Sequence, residues 1–299
     1  MPGKFYLDND IFIRVWDDVK NPKGIIQIIH GMGEHSLRYD TVAKWFNKNG
    51  YIVYADDHRG HGYSAESIEE LGSIEGGFET LVDDEKYITD FISKSCPGLP
   101  IYVLGHSMGS FIAQGHMSDL SRFVNGYILT GSCGKRMAET FSGWILSGII
   151  RIFFSKSKSP LMKRLIFLGY NKKIKKKKTV SDWLTRREEI VKDYIDDPFC
   201  GFVYTSGFYF SFLKYLKNLF TKKTFESVKR TIPVFILSGE SDPVGLYGKG
   251  VRKLLKFYKK NHFNFVKMKL YPGARHEILN EINSIEVLED IKNWIENKK

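Results

Sequence analysis

Apolar residues recur along this chain at two alternating spacings, and the alternation predicts the architecture. Ile11–Trp16, Ile25–Ile29, Tyr51–Ala55, Ile101–Leu104 and Tyr127–Thr130 are short runs rich in β-branched and aromatic residues, as buried strands are. Between them Thr41–Asn49, Glu79–Ser95 and Ser107–Leu120 repeat apolar positions at helical spacing, and Gly50 closes the first of these helices. Strands separated by helices must be joined by crossovers, which predicts an α/β fold with a mostly parallel central sheet flanked by helices.

After Gly134 the alternation stops, and the chain reads as several helices and loops as far as Arg230. Strand patterns then resume at Val234–Leu237 and Phe265–Leu270, with helices expected at Leu246–Lys259 and Ile285–Lys298. The expectation is a core made of residues 1–134 and 231–299, interrupted by a mainly helical cap or lid at 135–230.

Charge sharpens that division. The formal net charge is +11. Residues 135–230 hold 22 Lys and Arg against 8 Asp and Glu, whereas the remainder holds 23 basic and 26 acidic residues. The expected cap also contains the apolar run 141–154, the cluster NKKIKKKK (171–178) and an aromatic stretch at 199–220. Such a surface suits peripheral contact with an anionic membrane, and the same lysines equally suit a merely solvated face. The run 141–154 is broken by Arg151 and falls short of the roughly 20 residues a spanning helix needs. The lysines accompany no nucleic-acid-binding motif, so no nucleic-acid partner is expected. Cys96, Cys133 and Cys200 are odd in number and widely spaced, which argues against a disulfide framework. The N-terminus shows no secretory signal pattern, and the expected location is cytoplasmic, with the inner membrane face as a place of peripheral attachment.

The chemistry is concentrated in loops that follow strands. Gly105-His106-Ser107-Met108-Gly109 stands between a strand and a helix, where a nucleophilic serine on a tight turn needs small residues two positions to either side. A serine hydroxyl requires a base, and the base an orienting carboxylate, which in this arrangement follow in the order Ser, Asp or Glu, His. Asp242 after the Val234–Leu237 strand and His276 after the Phe265–Leu270 strand meet that order, with Glu240 as a local competitor for the carboxylate. The backbone N–H groups of Met108 and of Met32, in the His30–His35 loop, are the expected oxyanion donors. His58 and His61 lack a metalloenzyme spacing, so no metal is expected, and the mechanism calls for no cofactor. His30 and His106 read as residues that brace loops.

The set HGMGEHSLRY (30–39), DDHRGHGYS (56–64), GHSMGS (105–110), SGESDPVG (238–245) and ARHEILNE (274–281) resembles the monoacylglycerol lipase and lysophospholipase family of α/β-hydrolases. The segment 181–202 is similar to the cap of bacterial members. The resemblance implies an α/β-hydrolase fold, a Ser107, Asp242, His276 triad with Met32 and Met108 at the oxyanion, and release of a fatty acid from a monoacylglycerol or lysophospholipid. It also implies a cap that shapes an acyl tunnel. Phe202, Phe208, Tyr209 and Phe212 then either line that tunnel or form the cap's own core. A short-chain esterase, a proline-type aminopeptidase and a non-catalytic lipid-binding protein stand as the alternatives.

Overall fold

Eight strands form one sheet in the order β1-β2-β4-β3-β5-β6-β7-β8. They are β1 (Gly3–Tyr6), β2 (Phe12–Trp16), β3 (Gly24–Ile29), β4 (Tyr51–Asp57), β5 (Ile101–His106), β6 (Gly126–Thr130), β7 (Val234–Gly239) and β8 (Val266–Tyr271). This computed structural model describes residues 2–221 and 223–297, apart from the side chains of 137–139; the expected helix end at Lys298 lies outside the described residues. β1 and β2 join the sheet antiparallel, and every pairing from β4 to β8 is parallel.

β3 and β5 are buried throughout because helices cover both sides of the sheet. On one side α1 (Asp40–Lys48) and α9 (Ser284–Glu296) pack Val42, Phe46, Leu288 and Ile291 against Ile26, Ile28 and Leu104. On the other, α2 (Glu79–Ser95), α3 (Met108–Leu120) and α8 (Lys249–Lys260) cover Ile25, Ile29 and Val103. The chain leaves β3 toward β4 on one side and returns as β5 on the other. Between the carboxyl ends of β3 and β5 there is consequently a crevice, the usual place for a ligand in an open α/β sheet.

Between β6 and β7 the chain departs from the sheet and forms α4 (Met137–Phe154), α5 (Pro160–Ile166), α6 (Glu188–Asp196) and α7 (Ser206–Leu219). Ser159 caps α5 from its side chain with Pro160 at the first turn, and Thr205 caps α7. α4 lies against α7, where Gly143 faces Leu213 and Trp144 stacks on Phe210 at 6.0 Å.

Two expectations change. β1 is absent from the sequence reading because this edge strand is largely exposed and has no apolar alternation. The helix expected from Leu246 begins at Lys249: Leu246, Tyr247 and Gly248 all have positive φ, and Tyr247 N–H donates to the Asp242 carbonyl at 2.8 Å instead of entering a helix.

Candidate active site

Ser107 sits at the turn from β5 into α3 with φ +52° and ψ −117°, a strained conformation for a residue with a side chain. The glycines two positions away are sterically required. A Cβ on Gly109 would come within 2.1 Å of the Ile29 carbonyl oxygen, and one on Gly105 within 2.5 Å of the Gly109 carbonyl oxygen. The turn is secured by the Ser107 N–H, which donates to Thr130 O at 2.9 Å.

Asp242 and His276 meet as the chain order predicts. The ring Nδ1 of His276 lies 3.0 Å from Asp242 Oδ1, and both residues are buried. Asp242 also accepts from the Val244 N–H at 2.8 Å and from Ser238 Oγ at 3.0 Å, bonds that favour its ionised form. Burial alone would push the carboxyl up, but the His276 charge and these bonds hold it below its ordinary value. Burial likewise opposes charge on His276, and the neighbouring Asp242 outweighs it, so the ring's pKa lies above the ordinary 6.5. Glu240 is exposed and takes no part in this pair. His106, bonded through Nδ1 to Thr130 Oγ1 at 3.0 Å, is pushed down to about 4 by burial and by the His276 charge, so it stays neutral beside the pair.

Met108 is the first residue of α3, where backbone N–H groups have no partner within the helix. Met32 lies between two pinned neighbours: the Gly31 N–H donates to Glu34 Oε1 and the Gly33 N–H to Tyr204 Oη, each at 2.6 Å. The Tyr204 hydroxyl in turn donates to His61 Nε2 at 2.6 Å, since burial and the charge of His58 push His61 down to about 3 and leave that nitrogen free to accept.

Below this loop His58 has Nδ1 2.7 Å from Asp56 Oδ2 and Nε2 3.1 Å from the His30 carbonyl oxygen. Both ring nitrogens face acceptors, an arrangement that a doubly protonated ring satisfies. Burial opposes this charge and Asp56 overcomes it, raising the pKa. Asp56, His58 and Glu85 bring ligand-type atoms within 4.8 Å of one another. His58 also donates its backbone N–H to His30 Nε2 at 3.0 Å, which ties His30 and the following loop to β4.

Three residues that pattern reading missed hold the loops together. Arg38 Nη1 bonds Glu34 Oε2 at 2.6 Å, and its two terminal nitrogens each bond a carboxylate oxygen of Glu277 at 2.7 Å. Glu34 grips Gly31 and Glu277 follows His276, so one guanidinium joins the Met32 loop to the His276 loop. The Glu277 carboxyl is resisted by burial yet pushed down to about 2 by Arg38. Glu34 and Glu277 lie within the two loop motifs already singled out. The readable signal was acidic residues inside glycine-rich or histidine-bearing loops.

A cavity of about 500 Å³ opens beside Ser107. Met32, Ser107 and Met108 line it, and Phe111, Leu146, Met162, Leu165, Leu213 and Leu216 are among its apolar walls. Of the four aromatic candidates Phe212 alone lines it. Phe208 and Tyr209 are buried behind it, with Phe208 stacked on Tyr204 at 4.1 Å, and Phe202 stands edge-on to His61 at 5.3 Å. α4 contributes Leu146 to the wall, and α5 contributes Met162, Leu165 and Ile166. Trp183 closes the other side: its ring packs at a tilt 4.9 Å from the His276 ring, and the N–H groups of His276 and Glu277 donate to the carbonyls of Trp183 and Leu184.

Such an arrangement can carry out acyl transfer: a serine on a strained turn, a buried carboxylate–imidazole pair, two candidate amide donors and an apolar pocket. The sequence profile of the family described as serine aminopeptidase, S33, matches residues 20–283. Over 290 residues the chain is 29% identical to a monoacylglycerol lipase of Mycolicibacterium smegmatis, spanning 95% of this chain and 92% of that one. It is 27% identical to a monoglyceride lipase of Homo sapiens, spanning 95% and 86%. Among solved structures, a highly thermostable carboxyl esterase from Bacillus coagulans in complex with glycerol has a TM-score of 0.89 at 30% identity, covering 99% of this chain and 97% of that one.

Proposed function

This chain belongs to the serine aminopeptidase, S33 family and has the α/β-hydrolase fold; on that premise we propose that Ser107, His276 and Asp242 form the triad of an enzyme that hydrolyses esters of long acyl chains, monoacylglycerol or lysophospholipid. The observation that carries the proposal is the buried Asp242–His276 pair beside an apolar cavity into which Ser107 opens. His276 takes the hydroxyl proton as Ser107 attacks the ester carbonyl, and Asp242 stabilises the imidazolium so formed. The N–H groups of Met32 and Met108 receive the oxyanion. The alcohol leaves with the proton from His276, and water then releases the carboxylic acid from Ser107.

The cavity favours an acyl ester over a peptide. An aminopeptidase must hold a substrate ammonium, which calls for carboxylates, yet none occurs among the described lining residues, and Arg136 is present. Nitrophenyl esters of increasing chain length should be cleaved with rising kcat/KM toward long chains, and a proline amide much more slowly. Preference for the amide would reverse the assignment.

Residues 135–230 act in this reading as the cap over a core of 1–134 and 231–299. No described helix is long and apolar enough to cross a membrane. On α4, however, Ile152 and Phe153 are 74% and 76% exposed, with Ile149 and Phe154 also turned to solvent and the excess lysines in the same segment. This face rests on anionic bilayers and brings the cavity to its substrate. A double variant, Ile152→Glu with Phe153→Glu, should weaken binding to anionic vesicles by about tenfold or more per side chain. Unchanged co-sedimentation would show that α4 does not touch the bilayer.

The pH profile follows from the sign of the His276 shift. A base must be neutral, and its pKa lies above 6.5, so kcat/KM should rise with pH along a limb centred above that value. A limb centred at or below 6.5 would mean that Asp242 does not govern the ring during catalysis.

A further inference from the structure

Two groups of metal-ligating side chains converge among the described residues. Asp56, His58 and Glu85 are sealed inside the core. His35, Asp197 and Cys200 instead stand where the insertion meets the loop that holds Met32, and their imidazole, carboxylate and thiol offer ligand atoms within 4.8 Å of one another. His35 is buried, whereas Asp197 and Cys200 are half-buried and Pro198 between them is exposed, so an ion can reach the group from solvent.

The surrounding bonds already hold these donors in place. Asp197 and Cys200 lie three positions apart on one turn, closed by the Cys200 N–H, which donates to the Asp197 carbonyl at 3.0 Å. Paired ligands in zinc sites of the C-x2-C kind have the same interval. The Phe199 N–H holds Asp197 Oδ1 at 2.8 Å, which leaves Oδ2 facing His35 Nε2, also at 2.8 Å. Gly201, at φ +62°, donates its N–H to Gly33 O at 2.9 Å and fixes the turn against the His30–His35 loop. The Cys200 thiol forms no hydrogen bond among the described residues. Asp197, Glu34 and Glu277 act on it against Arg38, a negative balance that favours a cation. The Lys163 ammonium, which reaches the Gly201 carbonyl, works against one and moderates the affinity.

We propose that His35 Nε2, Asp197 Oδ2 and Cys200 Sγ bind a zinc ion, with water as the fourth ligand, and that the ion clips the turn 197–201 onto the loop that holds Met32. Nitrogen, oxygen and sulfur donors together suit zinc, whereas magnesium and calcium take oxygen ligands. Tetrahedral zinc bonds of about 2.0–2.3 Å put donor atoms roughly 3.3–3.7 Å apart, a spacing that side-chain rotations reach from the present one. Burial pushes the Cys200 thiol up, so the ion must displace its proton: the S–H bond breaks, the proton passes to solvent and the sulfur pair forms the bond to zinc. His35 keeps its proton on Nδ1, and nothing is oxidised or reduced. The inference uses no part of the Ser107 chemistry and goes beyond it.

The test takes the whole protein, reduced and stripped with a chelator, and titrates it with zinc against a chromophoric chelator. The wild type should take up one equivalent with a Kd on the order of micromolar. Cys200→Ser and Asp197→Asn should each weaken uptake by about tenfold or more, since even the loss of a group that merely orients a ligand costs that much. Cys96→Ser, which removes a thiol elsewhere, should leave uptake unchanged. Cobalt in place of zinc should produce an intense thiolate-to-metal charge-transfer absorption that Cys200→Ser abolishes. Excess zinc should raise the melting temperature of the wild type by a few degrees and leave that of Cys200→Ser where it is. Absence of uptake by the folded wild type overturns the proposal. Uptake that persists in Cys200→Ser, or that gives no charge-transfer band, overturns it too, and its loss in Glu85→Gln would place the ion at the sealed group. Should Asp197→Asn fail to fold, Cys200→Ser and the cobalt band decide. A protein that binds zinc and cleaves no ester removes the triad reading alone, and one that cleaves esters and takes up no zinc removes this inference alone.

Discussion

Ser107→Ala should reduce acyl-ester turnover by about 10⁶-fold while the protein stays folded, because in the proposed mechanism it deletes the only atom that bonds to the acyl group. Ala has the same Cβ as Ser, so it occupies the left-handed turn at φ +52° with no new clash, and Gly105 and Gly109 keep the backbones at their close approach. The variant therefore isolates chemistry from stability. Its circular dichroism and melting temperature should match the wild type, and labelling by a fluorophosphonate should vanish. A folded variant that keeps a rate within about tenfold of wild type would remove Ser107 from the reaction. A folded wild-type protein that never reacts with the probe would instead favour a lipid-binding protein without catalysis.

Arg38→Met is expected to have the largest effect on stability. It leaves Glu34 and Glu277 buried with no counter-charge, a change that costs about 3–5 kcal/mol when one partner of a buried ion pair is removed. The urea midpoint should fall accordingly. The sign of the pH dependence is set by Glu277, whose folded pKa is depressed to about 2 from the ordinary 4.5. Its stabilisation is fully present above 4.5 and is lost as pH falls through about 2, while in the variant protonation relieves the orphaned carboxylate. The gap between wild type and Arg38→Met should thus narrow as pH drops over that interval. A gap that widens would mean that the carboxylates find another partner. Activity should fall as well, since the same guanidinium joins the Met32 loop to the His276 loop.

The meeting of the residues proposed for the chemistry was legible because each stands where a strand ends. Ser107, Asp242 and His276 follow β5, β7 and β8, and parallel strands bring their carboxyl ends to one edge whatever the intervening chain does. Glu34, Arg38 and Glu277 were not legible as a unit, because a buried ion cluster depends on which loops meet and no local spacing encodes that. The protonation of His58 likewise requires seeing that Asp56 and the His30 carbonyl face opposite nitrogens of one ring. Amphipathic pattern also failed to tell Phe208 from Phe212. Both are buried, and only the placement of α4 and α5 decides which of them borders open space. The start of α8 was missed for a local reason, the three left-handed residues that precede Lys249.

The insertion between β6 and β7 has two unequal halves. Residues 181–205 share main-chain hydrogen bonds with the loops that hold Met32 and His276: Gly201 N–H to Gly33 O, His276 N–H to Trp183 O and Glu277 N–H to Leu184 O. α4 instead leans on α7 through side chains such as Trp144 and Phe210. Grafting a different α4 and α5 onto this scaffold would change the apolar walls of the cavity beside Ser107 and spare the Asp242–His276 pair. Excising the whole insertion would strip bonding partners from the backbone of His276 itself. For anyone redesigning specificity, the interchangeable module is therefore narrower than the topological insertion, and its boundary runs through the middle of that insertion.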